Sequence, residues 1–268
     1  MVRPMETSTE KLIARKEGAV GWLIFNHPER RNALTVDMWQ GIPDIVERFE
    51  SDREIRVMVV TGAGDKAFVS GADISQFESQ RSNQAADERY SRFTEAAMTA
   101  LERFSKPSIA MIRGFCIGGG LAVALSCDLR IAADDGRFGI PAARLGLGYG
   151  FEGIRKLVGV VGPAYAREIL FTARQFDAEE ALRMGLVNTV VGSADLESSA
   201  RAYAEQIANN APLTVRASKL AIREAMKDAE KRNHAALEAA IAACFESDDF
   251  KEGRRAFLEK RRPRFEGK

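Results

Sequence analysis

The sequence predicts an α/β fold whose last part is purely helical, and three observations support this prediction. Short apolar runs rich in β-branched residues alternate with segments that repeat apolar residues at helical spacing. Strand signals stop after about residue 194. Beyond that point the apolar residues follow helical spacing only. We therefore expect an α/β body over residues 1–194 and a helical region over residues 195–268.

Five segments have the character of buried strands, because each is short, apolar and mostly β-branched. They cover residues 20–25, 57–61, 108–113, 129–132 and 186–191. Helical spacing marks three longer segments between them, at 35–49, 86–104 and 163–171. The second of these helices carries an apolar stripe on one face, which predicts burial along one side. That stripe consists of Phe93, Ala97, Ala100, Leu101 and Phe104.

One acidic pair is interpreted as a helix start rather than as an acid/base pair. Asp177 is followed three residues later by Glu180, which is the spacing of a capping box. We expect this pair to open a helix that ends near Met184.

The helical region at the end of the chain contains a further apolar stripe. It consists of Leu237, Ala240, Ile241, Cys244 and Phe245. A helical segment of this kind does not easily bury all its apolar faces alone. We expect it either to pack on the body or to join a neighbouring subunit.

Composition and charge exclude several classes of partner. The formal net charge is +1, so no global field attracts nucleic acid or an anionic membrane. No window reaches the roughly 20 apolar residues of a membrane span, and the start of the chain lacks a signal-peptide pattern. A basic cluster near the end is either a solvated helix face or a phosphate contact. It consists of Arg254, Arg255, Lys260, Arg261, Arg262 and Arg264.

The three cysteines are expected to be buried, reduced thiols. Cys116, Cys127 and Cys244 lie in apolar surroundings, and their odd number argues against a disulfide framework. None has zinc spacing, and no cluster of His, Asp and Glu suggests a metal site. This cysteine pattern favours a cytoplasmic setting.

A triple glycine is the most informative local feature. A β-branched run leads through Gly114 into Gly118, Gly119 and Gly120, and a helix of small residues is expected over 121–127. Backbone N–H groups at such a corner are exposed at the positive end of a helix dipole. They can bind an anion or an oxyanion that forms during a reaction. The alternative is a tight backbone crossing without a ligand.

Five further segments occur with this corner in a characteristic order. They are NHPERRNAL at 26–34, KAFVSGADI at 66–74, FGIPAARLGLGYGFEG at 138–153, RQFDAEEALRMGLVNTVV at 174–191 and FLEKRRPRF at 257–265. Together they resemble the enoyl-CoA hydratase/isomerase, or crotonase, superfamily. The resemblance implies a core of repeated strand–strand–helix turns and a helical end that builds homotrimers, often paired into homohexamers. It also implies an acyl-CoA substrate, with coenzyme A as part of that substrate and no separate cofactor.

The resemblance assigns an oxyanion hole to the amides of Ala72 and Gly119. In the family, two such N–H groups hold the thioester oxygen. Thioester chemistry beside the carbonyl passes through an enolate, whose negative charge grows on that oxygen, and fixed donors stabilise it.

The same resemblance assigns residues that hold coenzyme A. The matching loop positions are Ser70, Ala72, Asp73 and Ile74. Basic side chains that match phosphate contacts are Arg30, Arg31 and Lys66, and tail contacts from a neighbouring helix match Phe257 and Lys260. Read without the family, Asp73 is a turn residue and each basic residue is an ordinary surface residue.

The chain departs from the family at both acid/base positions. Hydratases of this family carry one glutamate two residues after the triple glycine and another after the proline of the FGxP segment. Here these positions hold Ala122 and Ala142. Because a methyl group accepts no proton, ordinary hydration by the usual pair is doubtful.

Two other side chains are candidates for the remaining chemistry. Glu152 is a lone general base for double-bond isomerisation if it points inward, and otherwise a helix-start glutamate. The segment around Tyr149 resembles the same loop in family decarboxylases that act on methylmalonyl-CoA, where a tyrosine occupies this position. We expect its phenol hydroxyl to be able to orient the departing carboxylate. Alternatively, Tyr149 is an aromatic residue whose ring serves only in packing.

Three functions are therefore weighed. The first is an acyl-CoA enzyme that catalyses isomerisation, decarboxylation or atypical hydration, and the second is a non-catalytic acyl-CoA-binding relative. A nicotinamide oxidoreductase is the third, because Gly148, Gly150 and Gly153 spell G-x-G-x-x-G. That motif needs a strand directly before it, and the preceding segment is a poor strand. His27 is expected to be structural.

Overall fold

The computed structural model describes residues 2–73 and 84–268. Its strands are β1 (Val2–Met5), β2 (Leu12–Glu17), β3 (Val20–Phe25), β4 (Val57–Gly62), β5 (Ala67–Val69), β6 (Ser108–Ile112), β7 (Phe115–Ile117), β8 (Leu129–Ala133), β9 (Arg137–Gly139), β10 (Phe176–Asp177) and β11 (Thr189–Val191). Its helices are α1 (Val36–Ser51), α2 (Gln84–Arg103), α3 (Gly119–Leu125), α4 (Phe151–Thr172), α5 (Ala178–Arg183), α6 (Leu196–Ala208), α7 (Pro212–Ala225), α8 (His234–Glu246) and α9 (Asp248–Leu258).

The strands form two sheets. The larger has seven strands in the order β1-β2-β3-β4-β6-β8-β11, and the smaller has four in the order β10-β9-β7-β5. In the larger sheet, β3, β4, β6, β8 and β11 run parallel, and β1 and β2 add an antiparallel edge. In the smaller sheet, β5, β7 and β9 are parallel to one another.

A repeated unit connects the two sheets. The chain passes from β4 to β5, from β6 to β7 and from β8 to β9, each time leaving the larger sheet for the smaller one. Helix α2 follows the first pair, α3 follows the second, and a short 3₁₀ turn with α4 follows the third. The predicted crotonase-like core of strand–strand–helix turns is thus confirmed.

The larger sheet is buried on both faces. Along β4, Met58 and Val60 point into the main core, while Val57 and Val59 point into a second apolar layer. This alternation follows from the two-residue period of a strand. Helix α6 covers the second layer with residues spaced one helical turn apart. They are Leu196, Ala200, Ala204 and Ala208.

Helix α6 lies against the body of the chain. The helical region at residues 195–268 was expected either to pack on the body or to join a neighbouring subunit, and α6 packs on the larger sheet. Its alanine stripe permits this close approach, and polar residues on the opposite helix face hide the signal in the sequence. Helix α7 also contacts the body, because Lys219 Nζ donates to the Lys106 carbonyl at 2.8 Å and to Asp128 Oδ2 at 2.6 Å.

Predicted and observed elements agree closely where the apolar pattern is strong. All five predicted strands are present, although the last is shortened to Thr189–Val191. The helix predicted at 163–171 is the second half of α4, which breaks at Gly162 with a φ of 73°. Asp177 and Glu180 form the expected capping box, since the Glu180 amide donates to Asp177 Oδ1 at 2.9 Å.

Helices α7 to α9 leave apolar residues uncovered. The stripe predicted on α8 is half-buried or exposed, and α8 has no buried residue. On α9, Phe257 and Leu258 are 84% and 81% exposed. A cavity of about 540 Å³ lies among these helices, lined in part by Phe245, Phe250 and Phe265.

Candidate active site

The triple glycine connects β7 to α3, and each glycine has its own role. Gly118 lies in the left-handed region with a φ of 53°, and its amide donates to the carbonyl of Gly139 at 2.8 Å. A Cβ on Gly120 would lie 2.2 Å from the Val69 carbonyl oxygen, so only glycine lets α3 approach β5. The alternative interpretation of a tight backbone crossing therefore applies to Gly120, but it does not account for Gly119.

The amide of Ala72 is oriented by its neighbours in the chain. Leu34 forms an isolated parallel bridge with Ala72. The Leu34 amide donates to the Gly71 carbonyl at 2.8 Å, and the Asp73 amide donates to the Leu34 carbonyl at 2.9 Å. Successive backbone groups of an extended segment point to opposite sides. The Ala72 N–H therefore points away from Leu34.

The two proposed donors of the oxyanion hole lie close together. A Cβ built on Gly119 would be 3.8 Å from the Ala72 nitrogen, 3.2 Å from Leu34 Cδ1 and 3.5 Å from Trp39 Cζ2. Within residues 2–73 and 84–268, neither the Ala72 amide nor the Gly119 amide has a hydrogen-bond acceptor. Two neighbouring amides without acceptors are the arrangement that stabilises a developing oxyanion.

The two alanines at the glutamate positions flank the triple glycine. The amide of Ala122, on α3, donates to the Gly118 carbonyl at 3.0 Å. Ala142 is buried in the 3₁₀ turn Pro141–Leu145, and Pro141 Cδ lies 3.8 Å from a Cβ built on Gly118. Both positions present only a methyl group, so neither supplies a proton acceptor.

Tyr149 is half-buried beside this turn, and its ring packs against the core. A Cβ on Gly153 would lie 2.7 Å from Tyr149 Cε1, so the ring lies directly over this glycine. Burial raises the pKa of Tyr149 from 10.0 to about 12. The phenol therefore stays protonated at neutral pH and is able to donate a hydrogen bond.

Glu152 lies in the first turn of α4 and faces solvent. Its side chain is 67% exposed and pairs with Arg155, whose Nη2 is 2.8 Å from Glu152 Oε2. The inward orientation that a general base requires is not observed. An i,i+3 ion pair with Arg155 and a position at the positive end of α4 hold this carboxylate at the surface.

Part of the predicted coenzyme A site comes together in the structure. The Ser70 amide donates to the Arg31 carbonyl at 3.1 Å, which places the SGAD loop against the basic turn. Arg30, Arg31 and Lys66 are exposed, and the Arg31 guanidinium lies 5.0 Å from the Phe115 ring centroid. Asp73 follows Ala72 directly, whereas Ile74 lies outside the described residues.

Phe257 and Lys260 lie at the end of α9, in the helical tail. Both are exposed, and Lys260 is in the left-handed region with a φ of 53°. In this single chain neither residue is covered. Their predicted contact with coenzyme A of a neighbouring subunit stays a prediction.

Two residues near the hole were not predicted from sequence. Leu34 bridges Ala72 through its backbone and touches the Gly119 position through its side chain. Trp39 lies against the same position, and its indole N–H donates to the Tyr90 hydroxyl at 3.1 Å. In the sequence, Leu34 is an apolar residue just before α1, and Trp39 belongs to the buried face of that helix. Neither pattern indicates a contact with the triple glycine, which is distant in the sequence.

The remaining sequence motifs have structural roles. The segment before Gly148 is a 3₁₀ turn rather than a strand, so the G-x-G-x-x-G pattern lacks the context of a dinucleotide site. His27 lies beside Glu29 and Ala33, as expected for a structural residue. Burial raises the pKa of Cys127 to about 12 and that of Cys116 as well, so neither thiol is an activated nucleophile.

Metal-binding clusters and membrane-spanning helices are both absent from the described part of the chain. No group of three or more His, Cys, Asp or Glu side chains there is placed to hold a metal ion. Among the described helices, none combines the length and apolar character needed to cross a bilayer.

Known proteins are similar to this chain in sequence and in architecture. The family described as enoyl-CoA hydratase/isomerase matches residues 15–268. A short-chain-enoyl-CoA hydratase from Clostridium acetobutylicum is 39% identical over 94% of this chain and 95% of its own length. A crotonyl-CoA hydratase from Syntrophomonas wolfei is 38% identical over 96% of this chain and 98% of its own length. The crystal structure of an enoyl-CoA hydratase/carnithine racemase from Magnetospirillum magneticum has a TM-score of 0.93 at 34% identity, covering 98% and 97% of the two chains.

Proposed function

Because the chain belongs to the enoyl-CoA hydratase/isomerase (crotonase) family and is an acyl-CoA enzyme, we propose that it stabilises a thioester enolate between the amides of Ala72 and Gly119. The observation that carries this proposal is the proximity of these two amides, neither of which has an acceptor among the described residues. Preorganised N–H donors of this kind stabilise the charge that grows on the thioester oxygen.

The side chains around the hole favour a reaction that needs no carboxylate base. Hydration requires proton transfer by positioned acid and base groups, and Ala122 and Ala142 offer none. We therefore propose decarboxylation of a malonyl-type thioester such as methylmalonyl-CoA. The bond between the α-carbon and the carboxylate breaks, carbon dioxide leaves, and the electron pair passes to the thioester as an enolate. The enolate then takes a proton at the α-carbon from solvent.

Tyr149 is the side chain proposed to assist this step. Its phenol is protonated at neutral pH, and burial, which raises its pKa from 10.0 to about 12, favours the neutral form further. A neutral hydroxyl donates a hydrogen bond to the departing carboxylate and holds it out of the thioester plane. An exposed, paired Glu152 is not assigned a role in the chemistry.

Hydration is the second candidate, because the relatives from Clostridium acetobutylicum and Syntrophomonas wolfei are named as hydratases. A hydratase with alanines at both positions needs another group to activate water. Double-bond isomerisation is the third candidate and needs a base that the exposed Glu152 does not provide. A non-catalytic acyl-CoA-binding protein retains the hole and performs none of these reactions.

Coenzyme A is proposed to be bound as part of the substrate, without a separate cofactor. The SGAD loop with Ser70 and Asp73 lies against the turn that carries Arg30 and Arg31. These exposed cations and Lys66 fit the phosphates of coenzyme A as point charges or bidentate partners. The free, buried Cys116 and Cys127 support a reducing, cytoplasmic setting.

The chain is further proposed to form a homotrimer or homohexamer through its helical tail. Support comes from exposed Phe245, Phe257 and Leu258, which form an uncovered apolar surface on α8 and α9. Sedimentation velocity of the wild type and of Phe245→Asp tests this. A monomeric wild type contradicts the proposal.

The reaction is tested with a panel of three thioesters. Purified protein is incubated with crotonyl-CoA, a 3-enoyl-CoA and methylmalonyl-CoA, and products are identified by mass spectrometry. We expect propionyl-CoA from methylmalonyl-CoA. Conversion of crotonyl-CoA alone would establish hydration instead, and tight binding of all three without turnover would establish a non-catalytic protein.

A further inference from the structure

Asn32 is fully buried and makes an unusual set of hydrogen bonds. Its side-chain oxygen accepts from the His27 amide at 2.9 Å. Its side-chain nitrogen donates to the carbonyls of Ala63 and Ala67, both at 2.9 Å. One side chain thus joins the turn before α1, the end of β4 and the start of β5.

This side chain closes a short ring that contains Ala72. Two residues after Asn32, the backbone of Leu34 is bridged to Ala72. Five residues before Ala72, the carbonyl of Ala67 accepts from Asn32. Residues 32–34 and 67–72 are therefore hydrogen-bonded to each other at both ends. A ring this small restricts the orientation of the Ala72 amide. Leu34 also packs against the Gly119 position, so the ring is in contact with the second donor.

The position is chemically specific for asparagine. The amide supplies one acceptor and two donors, and all three are used. A carboxylate would lack the donors and would leave two carbonyls unpaired next to a buried charge. The backbone has a φ of 55°, a region in which asparagine is one of the few tolerated residues other than glycine. Gly62 leaves room for the Asn32 side chain, because a Cβ at position 62 would lie 2.5 Å from Asn32 Nδ2.

We infer that Asn32 is a positioning residue that aims the Ala72 amide into the oxyanion hole, an inference that rests on the proposed function. Asn32 does not touch the substrate. It acts through the Leu34 bridge, so its loss changes the direction of one donor rather than the presence of the hole. Misplacement of a catalytic group by about 1 Å costs roughly 10²-fold in rate.

The test measures how strongly the protein polarises a bound thioester. Butyryl-CoA, isotope-labelled at the thioester carbonyl, is bound at saturation, and infrared difference spectra record the carbonyl stretch. An intact hole lowers this frequency relative to free butyryl-CoA. Asn32→Gly keeps the left-handed backbone and removes the three hydrogen bonds. We expect it to lose most of the frequency shift and about 10²-fold in turnover.

Ser108→Ala is the matched control. Ser108 is also fully buried, and its hydroxyl bonds to Asp128 at 3.0 Å, but it lies at the start of β6, paired with the start of β4. This variant removes the two hydrogen bonds of the Ser108 hydroxyl with Asp128, neither of which involves the Leu34 bridge, and should keep the shift. Equal loss in both variants, or an unchanged shift in Asn32→Gly, would overturn the inference.

A second variant covers the case in which Asn32→Gly does not fold. Ala33→Gly loosens the link between Asn32 and Leu34 without removing a buried polar group. It must also reduce the shift, and an unchanged shift refutes the inference. Absence of any shift in the wild type contradicts the proposed function itself, which distinguishes the two failures.

Discussion

The proposed site has two sides, one formed by backbone amides and the other by side chains. On one side, the amides of Ala72 and Gly119 are fixed by a β-bridge and by close packing against Leu34 and Trp39. On the other side, the acid/base groups of the family are side chains, and both of these positions hold alanine here. A backbone donor is changed only by disturbing the fold, whereas a side chain is lost by one substitution. The contrast explains how one fold keeps enolate stabilisation while its reactions diverge.

Removing the Gly119 donor should have the largest effect. Gly119 is the first residue of α3, a position that tolerates proline. Gly119→Pro removes the N–H, and we expect a loss of roughly 10²–10³ in kcat on the active thioester. Gly119→Ala keeps the N–H but places a methyl group 3.2 Å from Leu34 Cδ1 and 3.8 Å from the Ala72 nitrogen, so we expect a smaller loss of about tenfold. Similar steady-state rates for both variants would contradict the role of the amide.

Introducing glutamates at the two acid/base positions should supply the side chains that hydration requires and that the site lacks. The double variant Ala122→Glu, Ala142→Glu supplies an acid and a base, and we expect crotonyl-CoA hydration to rise by about 10²-fold. The variant should also be less stable, because Ala142 is buried and a carboxylate is costly there. Ala122→Glu with Ala143→Glu is the control, since Ala143 is exposed. An equal gain in both double variants would show that the second position is not part of the site.

Tyr149→Phe should have a moderate effect. Loss of the hydroxyl should lower kcat for decarboxylation by about tenfold and leave acyl-CoA binding nearly unchanged. Single-turnover kinetics and equilibrium binding separate the two quantities. If binding and turnover fall together, the hydroxyl does not act on the departing carboxylate.

The same variant has a pH signature. The pKa of Tyr149 is raised from 10.0 to about 12 in the folded protein, so folding favours the neutral phenol. The stabilisation is complete below pH 10.0 and is lost as the pH rises to about 12. Denaturant titrations should therefore show the wild type losing stability over this range more steeply than Tyr149→Phe. Parallel curves would place the phenol in contact with water.

Glu152→Gln should have the smallest effect. The carboxylate is exposed and its ion pair with Arg155 is of the kind that contributes little, so we expect a change of less than about twofold in kcat. A loss as large as that of Gly119→Pro would instead make Glu152 the general base of an isomerase. Initial rates on a 3-enoyl-CoA distinguish the two results.

Sequence patterns predicted the long elements well and the short ones poorly. Strands β3, β4, β6 and β8 are mostly apolar because they are buried on both faces of the larger sheet. Strands β5, β7 and β9 have only three residues each, which is too few for a period to be visible. The smaller sheet, and with it the repeated unit, was therefore known only through the family resemblance.

The backbone half of the site was easier to predict than its surroundings. The triple glycine is a local signal, whereas its proposed partner Ala72 was assigned only through the resemblance of the SGAD segment to the family. Asn32 lies in a motif that was noticed, but the role of its side chain depends on carbonyls about thirty residues away. For Glu152 the sequence left two alternatives open, and the structure shows the helix-start glutamate, paired with Arg155 at the surface.

The two tryptophans of the chain are in contrasting surroundings. Trp22 lies between two guanidinium groups, with Arg15 and Arg201 at 5.4 Å and 4.6 Å from its ring centroid. Trp39 instead touches the position of Gly119. A Trp22→Phe variant would leave one tryptophan beside the proposed oxyanion hole, so that its emission would report occupancy of that site without any external label.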